Sequence, residues 1–371
     1  MRWNDVTTDN PGLWRYRSLL GLKQSTVERL ADEQKPEFMM PVEAPELAER
    51  LGIKQFYLLP LTSGPGGTFK DCEAAVVIGK LLEDGPANTE YSWHSTGNTA
   101  RAYREYANKA GFRNHSFFPI QCLSKWNGAT PFDGSTVVAY NGSFQEVSGK
   151  AKKYAKSKGL EHLAPLEWKL LGKAPVAFPI AEYIPHVTTI VQTIAGGYGP
   201  LGIQQGIEMC RAKQLLTDEQ QPKFAMFQIR GADTISRLMP LGRDITETDL
   251  ELPINPFEPT LQSTNPLSTF AHVRNLVQKT NSSIDSVDPQ CVINHRSLLE
   301  EACSKRGIPI SFADEKSSFI SWAGLVNKAD DGRLSAEERI VMLVTGSAPR
   351  PDVQFKPDFI MESDDTIHQG V

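Results

Sequence analysis

Three times along this chain a short apolar run breaks into a glycine-bearing loop and then into an amphipathic stretch. FYLLPL (residues 56–61) leads through SGPGGTFKD (63–71) into AAVVIGKLLEDG (74–85). YSWH (91–94) leads through STGN (95–98) into a helical pattern over 99–109 closed by Gly111. TTIVQTIA (188–195) leads through GGYG (196–199) into a helical pattern over 201–213. Strand, loop and helix in repeated order favour an α/β fold with a mostly parallel sheet, because parallel neighbours need a crossover between them. Further strands are expected at 114–120, 136–140, 224–229 and 340–344, and further helices near 268–279, 294–306 and 317–328. A chain of 371 residues has room for two lobes. The expected division puts 55–180 in a smaller lobe, 1–54 with 181–350 in a larger one, and leaves 351–371 as a peripheral tail. Residues 161–184, rich in proline and aromatics, read as a crossing between lobes, and 250–266, with four prolines, as a long loop.

Composition argues against several classes of function. With 40% apolar and 22% charged residues and a net charge of −5, the chain has the balance of a soluble globular protein. That weak acidity supplies no field to attract nucleic acid or an anionic membrane, so neither is expected as a partner. Cys72, Cys122, Cys210, Cys291 and Cys303 are widely spaced and form no CxxC, which argues against a zinc site and a disulfide framework. No run reaches the roughly 20 apolar residues of a membrane span, and MRWNDVTTDNPGLWRY carries no apolar signal segment. A cytoplasmic protein is the expectation.

Each loop carries a chemical possibility. Lys70 follows the glycine turn directly; a lysine fixed by packed backbone loses hydration, its pKa falls, and its amine becomes a nucleophile toward an aldehyde. An isolated lysine is more often solvated surface. In the third loop, Gly196, Gly197, Tyr198 and Gly199 precede a helix whose free N–H groups and positive dipole end can cradle a phosphate without a basic side chain. Pro200 suits the first helical turn. Gly197, Gly199 and Gly202 also satisfy GxGxxG, a dinucleotide fingerprint that wants an acid about 20 residues on. Asp218 and Glu219 stand near that distance in a loop, and Asp233 comes later than the motif expects. A plain structural turn is the third reading. In the second loop, Ser95, Thr96, Gly97, Asn98 and Thr99 could hold a carboxylate; the competing reading is a helix capped by Thr96 or Asn98, with His94 structural.

Together these segments resemble the pyridoxal phosphate enzymes of the tryptophan synthase β fold (fold type II), most closely the threonine synthase branch. The family's N-P-T-G-S-F-K-D-R stands against GPGGTFKDC at 64–72, and its S-x-G-N-T-[GA] against STGNTA at 95–100. Its E-P-A-S-A, preceding a helix that ends A-G-L, stands against EKSSF at 315–319 before Ala323, Gly324 and Leu325. Its strand followed by T-G stands against MLVTG ending at Thr345 and Gly346. Order and spacing agree over roughly residues 40–350.

The resemblance implies two α/β lobes, each with a twisted, mostly parallel sheet flanked by helices, and pyridoxal 5'-phosphate in the cleft between them. Lys70 would make the Schiff base linkage to the cofactor and shuttle the substrate Cα proton. Asn98 would meet the ring hydroxyl oxygen, with Glu315 also on the cofactor side. Ser95, Thr96, Gly97, Asn98 and Thr99 would bind the carboxylate of an amino-acid substrate, and Gly196, Gly197, Tyr198 and Gly199 the cofactor phosphate. Thr345 would face the pyridine nitrogen with a hydroxyl, which suits elimination and replacement better than transamination. A homodimeric lyase or synthase is implied. Cys72 and Glu73 stand where the family has arginine and the residue after it, AGGYG replaces G-N-G-G-N in a style nearer to cysteate synthases, and Lys316 replaces proline. These departures point toward some other amino acid with a β or γ leaving group, phosphate among the candidates. The alternatives are a cysteate synthase-like replacement on O-phosphoserine and, from another class, a nicotinamide-dependent oxidoreductase using Gly197 to Gly202.

Overall fold

The computed structural model describes residues 2–31, 39–86, 88–129, 131–163, 166–251, 257–261, 265–346 and 348–370. Among the described residues twelve strands are formed: β1 Val42–Glu43, β2 Gln55–Pro60, β3 Tyr91–His94, β4 Asn114–Pro119, β5 Ser135–Tyr140, β6 Glu161–His162, β7 Thr189–Thr193, β8 Lys223–Ile229, β9 Ser283–Val287, β10 Arg339–Val344, β11 Phe359–Met361 and β12 Ile367–Gln369. They make two six-stranded sheets, ordered β1-β2-β10-β7-β8-β9 and β12-β11-β5-β4-β3-β6. Only the outermost pairs β1–β2 and β11–β12 are antiparallel; every other pairing is parallel. The expected α/β architecture with two mostly parallel sheets is what the chain adopts.

The strand sequences explain why the larger sheet is covered on both faces. Side chains alternate sides along a strand, so a strand buried on both sides reads as continuously apolar. In β2, Phe56 and Leu58 enter one core while Tyr57 and Leu59 enter the other. In β10, Ile340, Met342 and Val344 share the core of Phe56, whereas Val341 and Leu343 share that of Tyr57. The smaller sheet divides likewise: Phe117, Val138 and Tyr140 pack with Val147 and Ala151 of the helix Phe144–Lys158, and Phe118, Val137 and Ala139 face the main core.

Three expectations need correction. The strand at 55–60, assigned to the smaller lobe, lies in the larger sheet, where β10 pairs with it from Arg339↔Gln55 to Val344↔Pro60. Its two-sided apolar run requires neighbours on both faces. The tail is not peripheral: β11 pairs in parallel with β5, Phe359↔Val138 to Met361↔Tyr140, and β12 closes that edge. The segment 161–184 is more than a crossing, since it contributes β6, a helix at Leu166–Leu171, a 3₁₀ turn at Ala174–Val176 and a helix at Ala177–Tyr183. Its Pro175 and Pro179 sit in first turns, where the missing N–H removes no bond. Of the long loop at 250–266, residues 252–256 and 262–264 lie outside the described residues; Pro259–Leu261 form a 3₁₀ turn. Among the described residues no helix is long and apolar enough to cross a membrane.

Candidate active site

The sheet order converts three distant loops into neighbours. β10 lies between β2 and β7, all parallel, so the segments leaving their C-terminal ends emerge side by side. Thr345, one residue beyond β10, is thereby flanked by the loop that ends in Lys70 and by the loop from Ile194 to Gly199. Crevices at strand C-termini are where α/β sheets bind ligands. The loop after β3, from the other sheet, faces them. One cleft is lined by Thr68, Phe69, Lys70, Thr96, Asn98 and Thr99, by residues 192–199, and by Thr260, Leu261, Glu315, Ser317 and Thr345.

Lys70 is the first residue of the helix Lys70–Asp84. Its turn is fixed by Asp71, a fully buried carboxylate that accepts from the N–H of Gly66 at 2.7 Å and of Thr68 at 3.1 Å. A Cβ on Gly64 or Gly66 would meet that carboxylate at 2.7 Å, so both must be glycine. The Phe69 N–H donates to the Thr345 carbonyl at 2.9 Å, which ties the turn to the end of β10. Arg350 adds a bond from Nη1 to the Gly66 carbonyl at 2.9 Å. The Lys70 ammonium sits 3.9 Å above the Phe69 ring. Burial pulls its pKa down to about 7; Lys173 adds to the fall, and Glu73 and Glu315 oppose it. Burial also raises Asp71 to about 6, against the backbone N–H groups that favour its charged form.

The glycine loop after β7 is built differently. Gly197 caps the helix Tyr198–Ala212 in the left-handed region at φ +83°, and Tyr198 and Gly199 open the helix with N–H groups that have no carbonyl one turn back. A Cβ on Gly199 would collide with the Gln192 amide, and one on Gly197 with Val273. Thr269 Oγ1 and Gln228 Nε2 fix the carbonyls of Gly196 and Ala195. Gln192 lines the cleft, and its Oε1 is buried with no partner among the described residues. Asp218 and Glu219 are exposed, away from this loop. The third glycine of the GxGxxG, Gly202, serves helix packing, since a Cβ there would meet the Leu170 carbonyl and the Lys173 side chain at 2.6 Å.

In the loop after β3, neither Thr96 nor Asn98 caps the helix Asn98–Ala110. Ser95 does so, its Oγ accepting from the N–H of Gly97 at 2.9 Å and of Ala100 at 2.8 Å. Ser95 and Gly97 therefore lie behind the lining, and Thr96, Asn98 and Thr99 form it. Thr96 Oγ1 donates to the Thr260 carbonyl at 2.9 Å. Asn98 Nδ2 donates to Glu315 Oε2 at 2.6 Å, and Ser317 Oγ to Glu315 Oε1 at 2.7 Å. Behind Glu315, buried Lys125 bonds the Asp314 carbonyl and lies 3.1 Å from Glu258 and 3.9 Å from Glu315. Burial raises the Glu258 pKa, but Lys125 and the Lys316 and Thr260 N–H groups outweigh it and hold the carboxyl below its ordinary value. His94 pairs with His162 at 2.9 Å outside the cleft.

The cleft brings together Lys70, Thr96, Asn98, Thr99, Gly196, Gly197, Tyr198, Gly199, Glu315 and Thr345, all singled out from sequence. Lys125 and Glu258 carry no local signal, because each matters through a partner far along the chain; Gln192 is a lone amide inside the strand Thr189–Thr193, and Ser317 a small residue within EKSSF.

The chain is similar to known proteins in both sequence and fold. The threonine synthase of Methanosarcina acetivorans is 23% identical over 99% of this chain and 88% of its own length. That of Methanocaldococcus jannaschii is 25% identical over 90% and 80%. Maize serine racemase superposes with a TM-score of 0.67 at 18% identity, covering 89% of this chain and 94% of its own. Threonine deaminase isoform 2 of Solanum lycopersicum superposes at 0.64 and 16%, covering 93% of each. The family model described as "Pyridoxal-phosphate dependent enzyme" matches residues 36–346, and the chain belongs to that family.

Proposed function

We propose that this enzyme carries out β- or γ-elimination or replacement on an amino acid with a leaving group, in the manner of the threonine synthases it resembles. The carrying observation is that Lys70, its pKa drawn down to about 7, shares one cleft with the glycine loop and Thr345. The residues present fit pyridoxal phosphate. Gly197 and Gly199 leave no room for a Cβ, helix-opening N–H groups surround them, and the buried Gln192 Oε1 lacks a partner. In this reading Gly196, Gly197, Tyr198 and Gly199 hold the cofactor phosphate, Asn98 and Glu315 lie on its ring-oxygen side, and Thr345 presents a hydroxyl to its nitrogen. Bound there, the cofactor supplies an electron sink for charge developing at the substrate Cα.

The chain's own part is positional and protonic. Lys70 Nζ takes the proton from Cα, a role suited to an amine that is partly unprotonated near neutral pH. Thr96, Asn98 and Thr99, at a helix N-terminus, orient the substrate carboxylate, while Ser95 and Gly97 set the loop's shape. A hydroxyl at Thr345 leaves the ring nitrogen unpaired with any carboxylate, which favours departure of a β or γ group over transamination. The test loads purified chain with pyridoxal phosphate and follows two products. Phosphate release from O-phosphohomoserine or O-phosphoserine supports the replacement reading. Ammonia release from serine or threonine supports simple elimination. Absence of a visible absorbance band that borohydride bleaches, together with absence of either product, defeats both.

A further inference from the structure

One turn beyond Lys70, and three residues on along the same helix, Glu73 is almost fully buried. It pairs with Lys173 Nζ, equally buried, and accepts from the Tyr103 hydroxyl at 3.0 Å. Lys173 Nζ also donates to the Lys169 carbonyl at 2.9 Å. The pair joins elements that lead away from the cleft's loops. Glu73 belongs to the Lys70 helix, and Tyr103 to the helix that follows the STGN loop. Lys173 follows the helix Leu166–Leu171, lies 5.9 Å from the Tyr198 ring centroid, and fills the space that a Cβ on Gly202 would need. A buried ion pair is seldom retained for stability, since apolar residues of like volume serve as well or better.

We propose that Lys173 and Glu73 are positioning residues for the Lys70 amine, their two charges setting in opposite senses how readily that amine releases its proton. Among the described residues, four charged groups act most strongly on Lys70: Glu73 on its own helix, Lys169 and Lys173 from the crossing segment, and Glu315 from across the cleft. Asp71, its immediate neighbour, is turned away onto the Gly66 and Thr68 N–H groups. Of the four, Lys173 is the largest single charge acting on Lys70, and it lowers the proton affinity; Glu73 raises it. Burial alone would push Glu73 toward its neutral form, but Lys173, Lys70 and Lys169 hold its carboxyl below the ordinary value; burial also lowers the Lys173 pKa, and Glu73 opposes that fall. The inference rests on Lys70 being the reactive amine of the proposed function. It adds what tunes that amine.

The test reads the amine without catalysis. Full-length chain freed of cofactor is reductively methylated with limiting formaldehyde across a pH series. Labelling of the Lys70 peptide is followed by mass spectrometry, with exposed Lys156 as internal reference. The wild-type midpoint is expected near 7. Lys173→Met leaves the Glu73 carboxylate beside Lys70 and moves the midpoint up by about one pH unit. Glu73→Gln leaves the Lys173 ammonium and moves it down, while Lys173→Arg, which keeps the charge, holds it within about half a unit. Shifts of the same sign, or none, in the two single variants overturn the proposal. If either single variant does not fold, the swapped pair Glu73→Lys with Lys173→Glu decides. It keeps a bridge, so a purely structural role predicts no change, whereas the proposal predicts an upward shift. This outcome is separable from the proposed function, because cofactor capture and turnover are measured independently of labelling.

Discussion

The two glycine loops that flank Thr345 use the same residue for opposite ends. In the loop before Lys70 the glycines make room for a side chain of the protein: Asp71 occupies the space beside Gly64 and Gly66 and takes up the N–H groups of Gly66 and Thr68. In the loop after β7 the glycines are enforced by Gln192, which lines the cleft, and by Val273, and the helix-opening N–H groups have no carbonyl one turn back. The first loop is satisfied internally and can do no more than hold Lys70. The second opens a helix with N–H groups that lack a carbonyl one turn back, which in the proposed reading an anion completes. What distinguishes a structural glycine turn from a binding one is the destination of its N–H groups, not the number of glycines.

Four substitutions and conditions press on that contrast, the largest effect first. Lys70→Ala removes the group that the first loop exists to present. Turnover should fall by about a thousandfold or more, with pyridoxal phosphate still bound but no longer fixed by borohydride to the chain, as read by intact mass. Gly199→Ala forces a methyl into the Gln192 amide, an overpacking that costs about 1–3 kcal/mol. Cofactor affinity, measured by fluorescence titration, should drop by about 10- to 100-fold, and protection of the apo chain by inorganic phosphate against heat should disappear. Asp71→Asn strikes the other loop. It weakens the acceptor of two N–H bonds, so turnover should fall by about tenfold while inorganic phosphate still protects the chain. Equal loss of phosphate protection in both variants would erase the distinction between the loops.

The smallest effect is on pH dependence without cofactor. The folded-state pKa of Lys70 is lowered to about 7, so between 7 and the ordinary lysine value the unfolded chain binds more protons than the folded one. Stability therefore carries a penalty below 7 that is relieved as pH rises toward 10. Melting temperatures of wild type and Lys70→Met should converge over that range. Asp71 has the reverse sign: raised to about 6, it contributes a penalty that sets in as pH climbs from about 4 to 6.

Much of this was legible because it is local. The strands ending at Pro60, His94, Thr193 and Val344, and the loops after them, are written in consecutive residues, and pattern and glycine spacing suffice to find them. The edge strand β9, SIDSV, escapes that reading because it is half-exposed and therefore polar in composition. The tail strands are three residues each, too short for any period to show. The placement of β2 in the larger sheet depends on β10, which is far away in sequence. The ion pairs Lys125–Glu258 and Lys173–Glu73 join residues 100 or more positions apart. No spacing rule links such charges. Before folding each one is a lysine or glutamate like any other. Ser95 as the cap was concealed by better-placed candidates one and three residues nearer the helix.

The order of strands also fixes when the cleft can first exist. β2 leaves the ribosome early, yet its parallel neighbour β10 is among the last strands made. β5 in the smaller sheet waits for β11 in the same way. Until those arrive, edges of β2, β7 and β5 are open, and open edges recruit other chains. Such long-range pairing slows folding. A nascent chain that stalls short of residue 339 has made Lys70 and both glycine loops, but lacks the strand that sets them side by side. The open edges therefore persist from the making of β2 to that of β10 and β11, and the cleft is assembled only then.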